Sequence, residues 1–200
     1  MEGVPAGTPY QFSIDAYYRA FDLGLLGQQE RTELISGQII HMSPSSEPHS
    51  AGIGIFVELC FARLLGKVTV RSENPIELTA IASVPQPDIA LCNRDPSHYS
   101  QRHPSNEEVL FLVEVSLSSL EYDRTVKKAL YEQAFIPEYW IVNLVDRQFE
   151  CFTEPKGEAG YRTKKIYVEG DAFSHELLGE IVVSDLLPMP QTETPTTPPA

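Results

Sequence analysis

The chain has 200 residues, a formal net charge of −13 and 42% hydrophobic residues, a composition typical of one globular domain. The acidity excludes a protein that coats nucleic acid by charge alone, but it permits an enzyme with a local metal site. The sequence has no apolar run near the ~20 residues needed to span a bilayer, and its start carries no secretory pattern. The cysteines, which are Cys60, Cys92 and Cys151, are too few and too widely spaced for a disulfide framework. We therefore expect a cytoplasmic protein without a membrane segment.

The first third of the chain predicts a leader, a helix, a hairpin and a second helix. Residues 1–11 are rich in proline and glycine, which indicates a flexible leader. Ser13 can cap a short helix that ends near Asp22. The Ser36-Gly37 pair between two short apolar runs indicates a hairpin over residues 31–42. Apolar residues at helical spacing predict a helix over residues 49–65.

The rest of the chain predicts strands around one further helix. Residues 109–116 (VLFLVEVS) are almost continuously apolar, which is typical of a central strand covered on both faces. A helix is expected over residues 122–135, with Val126, Ala129, Leu130 and Ala134 facing inward. The Pro/Thr-rich segment 188–200 predicts a disordered tail. Further strands are predicted over 68–71, 76–78, 88–92, 138–144, 149–153 and 161–168, and residues 180–187 close the fold. The order predicts one mixed α/β (α+β) domain over residues 12–187, built on a single sheet.

Two carboxylates on neighbouring predicted strands are the sharpest chemical feature. If these strands form an antiparallel pair about the polar loop 93–108, Asp88 and Glu114 lie opposite each other, with Cβ atoms ~5 Å apart. Two acids that close repel each other unless a cation lies between them, and Mg²⁺ is a natural solution. The alternative is that Glu114 points into solvent and that Asp88 is a turn residue after Pro87. The apolar surroundings of Glu114 favour the metal site.

The next helix carries three basic residues close to that strand. Asp123 and Lys127 share a helical face, and the short loop after residue 116 brings the first turn near the strand end. Lys127 could therefore reach a scissile phosphate or an attacking water, and Arg124 and Lys128 are predicted to contact the substrate. The alternative is a set of solvated ion pairs along the helix surface, Asp123 with Lys127 and Lys128 with Glu132.

Glu33 and His49 are further candidates from the N-terminal half of the chain. Glu33 is a third candidate acid, and His49 opens the second helix, where it could contact a phosphate. The alternatives are a surface glutamate on a strand and an ordinary histidine at a helix start.

Several separated blocks occur in an order that resembles a known family. They are Glu33 to Gly37, His49, Pro87 to Ile89, Val113 to Ser116, Asp123 to Lys127, Tyr131, and Ile136 to Val142. Together they resemble the restriction endonuclease domain family, a branch of the PD-(D/E)XK nuclease superfamily, over roughly residues 12–186. The resemblance implies a restriction-endonuclease-like mixed central sheet flanked by helices, with an antiparallel hairpin that carries the acids.

The resemblance also implies roles for individual residues. Asp88 and Glu114 would bind Mg²⁺ or Mn²⁺, with the Val115 carbonyl as a further ligand, and Glu33 would be the acid from an N-terminal element. The superfamily lysine normally stands two residues after the glutamate, where this chain has Ser116. In this branch the lysine is expected on the following helix, which points to Lys127, with Lys128 as its competitor.

The sequence supports three readings of function. The first is a metal-dependent endonuclease that hydrolyses DNA through a metal-activated water, with catalysis by Asp88, Glu114 and Lys127. The second is a non-catalytic nucleic-acid or protein interaction module that keeps the fold. The third is a hydrolase of another phosphodiester. The acidity predicts weak binding to DNA at physiological salt, and cutting of both strands would favour a homodimer.

Overall fold

The computed structural model describes residues 9–27 and 31–190. The predicted leader and tail, over 1–11 and 188–200, lie largely outside the described residues. Within the described part of the chain, no helix is long and apolar enough to cross a membrane. In chain order the elements are α1 (Ile14–Asp22), β1 (Thr32–Ile35), β2 (Gln38–His41), α2 (Glu47–Leu64), β3 (Thr69–Ser72), β4 (Ile89–Cys92), β5 (Val109–Ser116), α3 (Leu120–Tyr122), a π-helical segment (Asp123–Lys127), α4 (Lys128–Gln133), β6 (Glu138–Asn143), β7 (Gln148–Pro155), β8 (Tyr161–Val168), β9 (Ala172–His175) and β10 (Gly179–Val182).

Six strands form the central sheet, in the order β3-β4-β5-β6-β7-β8. Neighbours are antiparallel except β5 and β6, which run parallel, so the sheet is mixed. β5 lies inside the sheet, and its near-continuous burial explains its apolar sequence. The predicted fold class, a mixed α/β sheet flanked by helices, is confirmed.

The two faces of the sheet carry separate hydrophobic layers. Alternate residues of β5, from Phe111 to Val115, pack with α2 and with the β9–β10 hairpin. Leu112 faces the opposite side, where it packs with Leu130 and Tyr131 of α4. Because side chains alternate along a strand, Glu114 also faces the α4 side of the sheet. The helix that carries Lys127 therefore covers the sheet face from which Glu114 projects.

The β1–β2 hairpin is a separate two-stranded sheet that leans on the core. Ser36 and Gly37 both have positive φ, as the predicted tight turn requires. Leu34 exchanges both backbone hydrogen bonds with Val84, and the Tyr17 hydroxyl of α1 donates to the Thr32 carbonyl at 2.8 Å. These contacts hold the β1–β2 hairpin beside the N-terminal end of β4. Glu33 of β1 therefore lies on the side of the sheet where Asp88 precedes β4.

Three details of the sequence interpretation are wrong. Residues 76–78 form no strand: Glu77 and Leu78 make isolated bridges, and Leu78 turns back to bond Ser83 across a short 3₁₀ helix. The β9–β10 hairpin was not predicted. Val126 was expected to face inward, but it is 39% exposed, because Asp123 and Lys127 occupy the inward positions of the helix.

Gly52 allows α2 to lie unusually close to β5. A Cβ atom at this position would be 2.8 Å from Val115 Cγ1, well inside van der Waals contact. Gly54, on the same helix, has open space at the corresponding point. The close approach sets the position of the α2 N-terminus, and with it the position of His49.

Gly52→Ala should destabilise the protein by about 1–3 kcal/mol, because the added methyl overpacks the contact between α2 and β5. Gly54→Ala is the matched control. It should stabilise the protein by about 0.5–1 kcal/mol, since alanine is the better helix former and nothing obstructs it. Urea unfolding of both variants measures the difference. Equal changes in the free energy of unfolding would contradict the packing account.

Candidate functional site

The strand register places Asp88 opposite Glu114. Ile89 of β4 pairs with Val113 of β5, so the preceding residue, Asp88, faces Glu114. The Asp88 amide donates to Glu114 Oε2 at 3.1 Å, and the two residues are only 8% and 4% exposed. The predicted juxtaposition is confirmed, and the alternative of a solvent-facing Glu114 is wrong.

Lys127 lies between two buried carboxylates. Its Nζ donates to Glu33 Oε1 at 2.5 Å and to Glu114 Oε1 at 3.2 Å, and its side chain is 4% exposed. Lys127 ends the π-helical segment, an irregularity that occurs frequently at functional sites. The ammonium thus joins β1, β5 and the helix in one ionic cluster. The alternative of a solvated ion pair for Lys127 is wrong.

Burial and charge oppose each other in this cluster. Burial lowers the pKa of Lys127, but the carboxylates of Glu114 and Glu33 outweigh it and raise the pKa above its usual value. Burial also raises the pKa of Glu114, and the Lys127 ammonium opposes that rise. The Tyr131 hydroxyl donates to Glu114 Oε1 at 2.8 Å. Lys127 is therefore an ammonium at neutral pH, able to donate hydrogen bonds but not to act as a base.

His49 and Val115 fix the orientation of Asp88. Asp88 Oδ2 accepts a hydrogen bond from the Val115 amide at 2.7 Å and lies 3.1 Å from His49 Nε2. Hydrogen bonding to Asp88 raises the pKa of His49, although burial lowers it. Within the described residues, Asp88 Oδ1 has no hydrogen-bond donor. A residue in an extended strand directs its N–H and C=O to the same side, so the Val115 carbonyl faces the side of β5 where Asp88 lies.

Ser116 stands two residues after Glu114, at the position that the resemblance assigns to the superfamily lysine. Its hydroxyl donates to Asp123 Oδ2 at 2.7 Å, and the Ser119 hydroxyl donates to the same atom. Burial raises the pKa of Asp123, while these two hydroxyls lower it in part. This bonding fastens the start of the helix to the end of β5 and aims Lys127 at Glu114.

One cavity of about 430 Å³ connects the candidate site residues. Its lining includes Glu33, His49, Asp88, Glu114 and Lys127. No group of three or more histidine, cysteine or acidic residues with a metal-binding arrangement occurs in the parts of the chain that the structure describes. Two carboxylates suffice for Mg²⁺, which keeps several water ligands, so the donor set of Asp88 and Glu114 fits such an ion.

Arg124 and Lys128 lie outside the cavity. Arg124 donates to Glu150 Oε1 and to Asp146, and Lys128 pairs with Glu132. The structure therefore does not bring these two predicted substrate contacts to the site, and Lys127 is the helix lysine that reaches it. The ion pair between Lys128 and Glu132 is the one that the surface alternative predicted.

The site contains groups to which sequence reasoning gave no role. Tyr131 lies behind the cavity, against Glu114; the four-residue spacing from Lys127 placed it on the same helical face but indicated no function for it. The Tyr122 hydroxyl is buried and has no hydrogen-bond partner among the described residues. The Gln86 backbone N–H donates to Glu33 Oε1 at 2.5 Å. No sequence signal reveals that last contact, because it depends on how the hairpin docks.

Comparison with known proteins agrees with this geometry. The model of the Uma2 family, described as "Putative restriction endonuclease", matches residues 15–188. The chain belongs to this family. Uma2 membership supports a nuclease-like function, and restriction-endonuclease-like proteins generally use divalent metals.

A solved structure has the same fold. A crystal structure from Anabaena variabilis, described as "a putative nuclease belonging to DUF820", superposes with a TM-score of 0.64 at 13% identity. The match covers 89% of this chain and 97% of the other. At this identity the likeness shows the nuclease-like fold alone. No match is found among curated proteins.

Lys127→Met should destabilise the protein by about 3–5 kcal/mol, because it leaves Glu33 and Glu114 buried without a cation. Lys128→Met is the matched control. It removes the cation of a pair on the same helix whose side chains are 28% and 9% exposed. Glu132 keeps its hydrogen bond from the Tyr161 backbone N–H, so the change should cost no more than about 1–2 kcal/mol. Guanidinium unfolding of both variants gives the comparison. A loss for Lys127→Met no larger than that of its neighbour would contradict the buried cluster.

Acid should weaken the ion pairs that Glu150 forms with Arg124 and Lys164, outside the cavity. Burial raises the pKa of Glu150, but hydrogen bonds from Arg124 and Lys164 outweigh it and lower the pKa to about 2, below its ordinary value of 4.5. Because the folded pKa is depressed, this stabilisation is complete above about pH 4.5 and is lost as the pH falls through 2. Between these limits the wild type should lose on the order of 3 kcal/mol more than Glu150→Gln. Parallel pH–stability curves for the two proteins would refute the assignment.

Proposed function

We propose that the protein is a divalent-metal-dependent endonuclease that hydrolyses DNA phosphodiester bonds. The observation that carries the proposal is the convergence of Asp88, Glu114 and the Lys127 ammonium on one cavity. Two adjacent carboxylates with an ammonium beside them match the charges of a phosphoryl-transfer centre. Such a centre needs a bound metal ion and a further positive group that stabilises the negative charge developing on the phosphate. Family membership supports the same reaction class.

Asp88 and Glu114 would hold Mg²⁺ or Mn²⁺, with the Val115 carbonyl as a further ligand. When bound, the ion would lower the pKa of a water and offset charge on the leaving oxygen. His49 and the Val115 amide keep Asp88 Oδ2 in place, which leaves Oδ1 for the ion.

Lys127 would stabilise the negative charge that develops on the phosphate oxygens. Its fixed position between Glu33 and Glu114 means that little reorganisation is needed when the substrate arrives. Glu33 acts in this scheme through Lys127, which it orients. The raised pKa of Lys127 is consistent with a donor and not with a general base.

A fixed helix end also favours an anionic substrate. The N-terminus of α2, an 18-residue helix, lines the cavity with Ser46 and His49. Its N-cap residue, Ser46, makes no side-chain capping bond. Backbone N–H groups at such an end attract phosphate. Pro48 has no N–H and Glu47 adds a negative charge in the first turn, so this helix end offsets only part of the charge of the carboxylates around it.

The second reading, a non-catalytic module, was favoured by the acidic surface and by Ser116 at the place of the expected lysine. The reach of Lys127 into the acid pair supplies the missing amine and favours the catalytic reading. The third reading, hydrolysis of another phosphodiester, is tested by the same assay with a different substrate. A homodimer and a cytoplasmic location stay predictions.

Plasmid nicking in Mg²⁺ or Mn²⁺ tests the proposal. Asp88→Asn and Glu114→Gln should each lower the nicking rate at least about a hundredfold, because each removes charge that binds the ion. Glu107→Gln, an exposed acid on the 93–108 loop, is the matched control and should keep the wild-type rate.

Circular dichroism shows whether each variant is folded, and calorimetry with Mn²⁺ reports binding separately from rate. Nicking that persists at the wild-type rate in folded Asp88→Asn and Glu114→Gln would show that another protein or another site is responsible.

A further inference from the structure

We infer that the DNA substrate of this site is single-stranded, an inference that rests on the proposed nuclease function. It starts from how deeply the reacting groups are buried. The side chains of Glu33, Lys127 and Glu114 are 2%, 4% and 5% exposed. A scissile phosphate must therefore enter the cavity, whose volume of about 430 Å³ is that of a small-molecule site.

The charges at the cavity disfavour a duplex. Arg31 and Lys127 are the lining lysine and arginine residues, and Arg31 is paired with Glu73 at 2.8 Å. Lys127 already serves two carboxylates. The lining acids are Glu33, Glu73, Asp88, Glu114 and Asp123. A duplex, with one negative charge per ~1.7 Å of its axis, would meet this acidic surface with almost no cation to receive its second strand.

The remaining basic residues are engaged elsewhere or lie away from the cavity. All 15 lysine and arginine residues fall within the described ranges. Arg124 pairs with Glu150, Lys128 with Glu132 and Arg102 with Glu108. None of the 13 lysine and arginine residues other than Arg31 and Lys127 lines the cavity, so its lining offers no basic track of the kind that contacts 6–10 phosphates of a duplex.

Neutral donors surround the cavity in place of cations. The loop between β2 and α2 lines it with Ser43, Ser45 and Ser46, and the loop between β5 and α3 lines it with Ser118. Ser119 also lines it, but its hydroxyl already donates to Asp123. Serine hydroxyls bind phosphate oxygens without a charge. A flexible single strand can bend to place one phosphodiester between these loops, whereas a duplex is stiff over ~150 base pairs.

The test compares binding of one labelled DNA strand of about 20 nucleotides with binding of its duplex, by fluorescence anisotropy in EDTA from about 50 to 200 mM salt. The single strand should bind at least about tenfold more tightly. Its log–log salt slope should be near −1.4, from two cations at ~0.7 each. Equal or tighter binding of the duplex, a slope of about −5 or steeper, or no binding of either probe would overturn the inference.

A double variant tests the contact surface. Ser45→Ala with Ser118→Ala should weaken binding of the single strand about 5-fold to 100-fold, from two lost neutral hydrogen bonds. Ser100→Ala, an exposed serine on the 93–108 loop, should leave it unchanged. Equal effects of the two changes would contradict the assignment of the serine loops.

Cleavage of the same probes in Mn²⁺ separates the two proposals. Preference for the single strand in both binding and cleavage supports both. Tight binding of the single strand without cleavage supports this inference and counts against the nuclease function. Cleavage that favours the duplex supports the nuclease function and overturns this inference.

Discussion

The ammonium of Lys127, buried between Glu33 and Glu114, is the interaction on which the rest of the site depends. Each of the three side chains comes from a different element: a hairpin outside the main sheet, a central strand and a helix with a π-helical segment. Removing one charge from such a cluster leaves the others buried and unpaired, which is far more costly than loss of a surface pair. The cluster therefore links the docking of these elements to the geometry of the candidate metal ligands.

This link explains why the fold places its polar groups where a stable core would have apolar ones. The inward face of the helix carries Asp123 and Lys127, while Val126 faces solvent. Such a face buries less apolar surface than the sequence could have provided, and the ion pairs replace only part of that stabilisation. Departures from the apolar pattern of this kind are expected at functional sites. Stability and activity of this protein are thus expected to respond together to changes at Lys127.

Much of the fold follows from local sequence. The apolar run 109–116 indicated the central strand, Ser36-Gly37 the hairpin turn, and the symmetry about the 93–108 loop the pairing of Asp88 with Glu114. These predictions succeeded because they depend on residue spacing within one or two elements. Glu33 and His49 were identifiable as candidates, but their partners were not. Those contacts arise from docking of distant segments, which no periodicity encodes. The pairing of Arg124 with the buried Glu150 was hidden for the same reason.

The proposed function depends on whether Asp88 and Glu114 together bind a divalent cation beside the Lys127 ammonium. The most direct measurement is anomalous diffraction from crystals of the protein soaked in Mn²⁺. We expect a peak with oxygens of Asp88 and Glu114 at about 2.1 Å, the distance typical of a small octahedral cation. A peak elsewhere in the molecule, or none at these carboxylates in a folded protein at millimolar Mn²⁺, would contradict it.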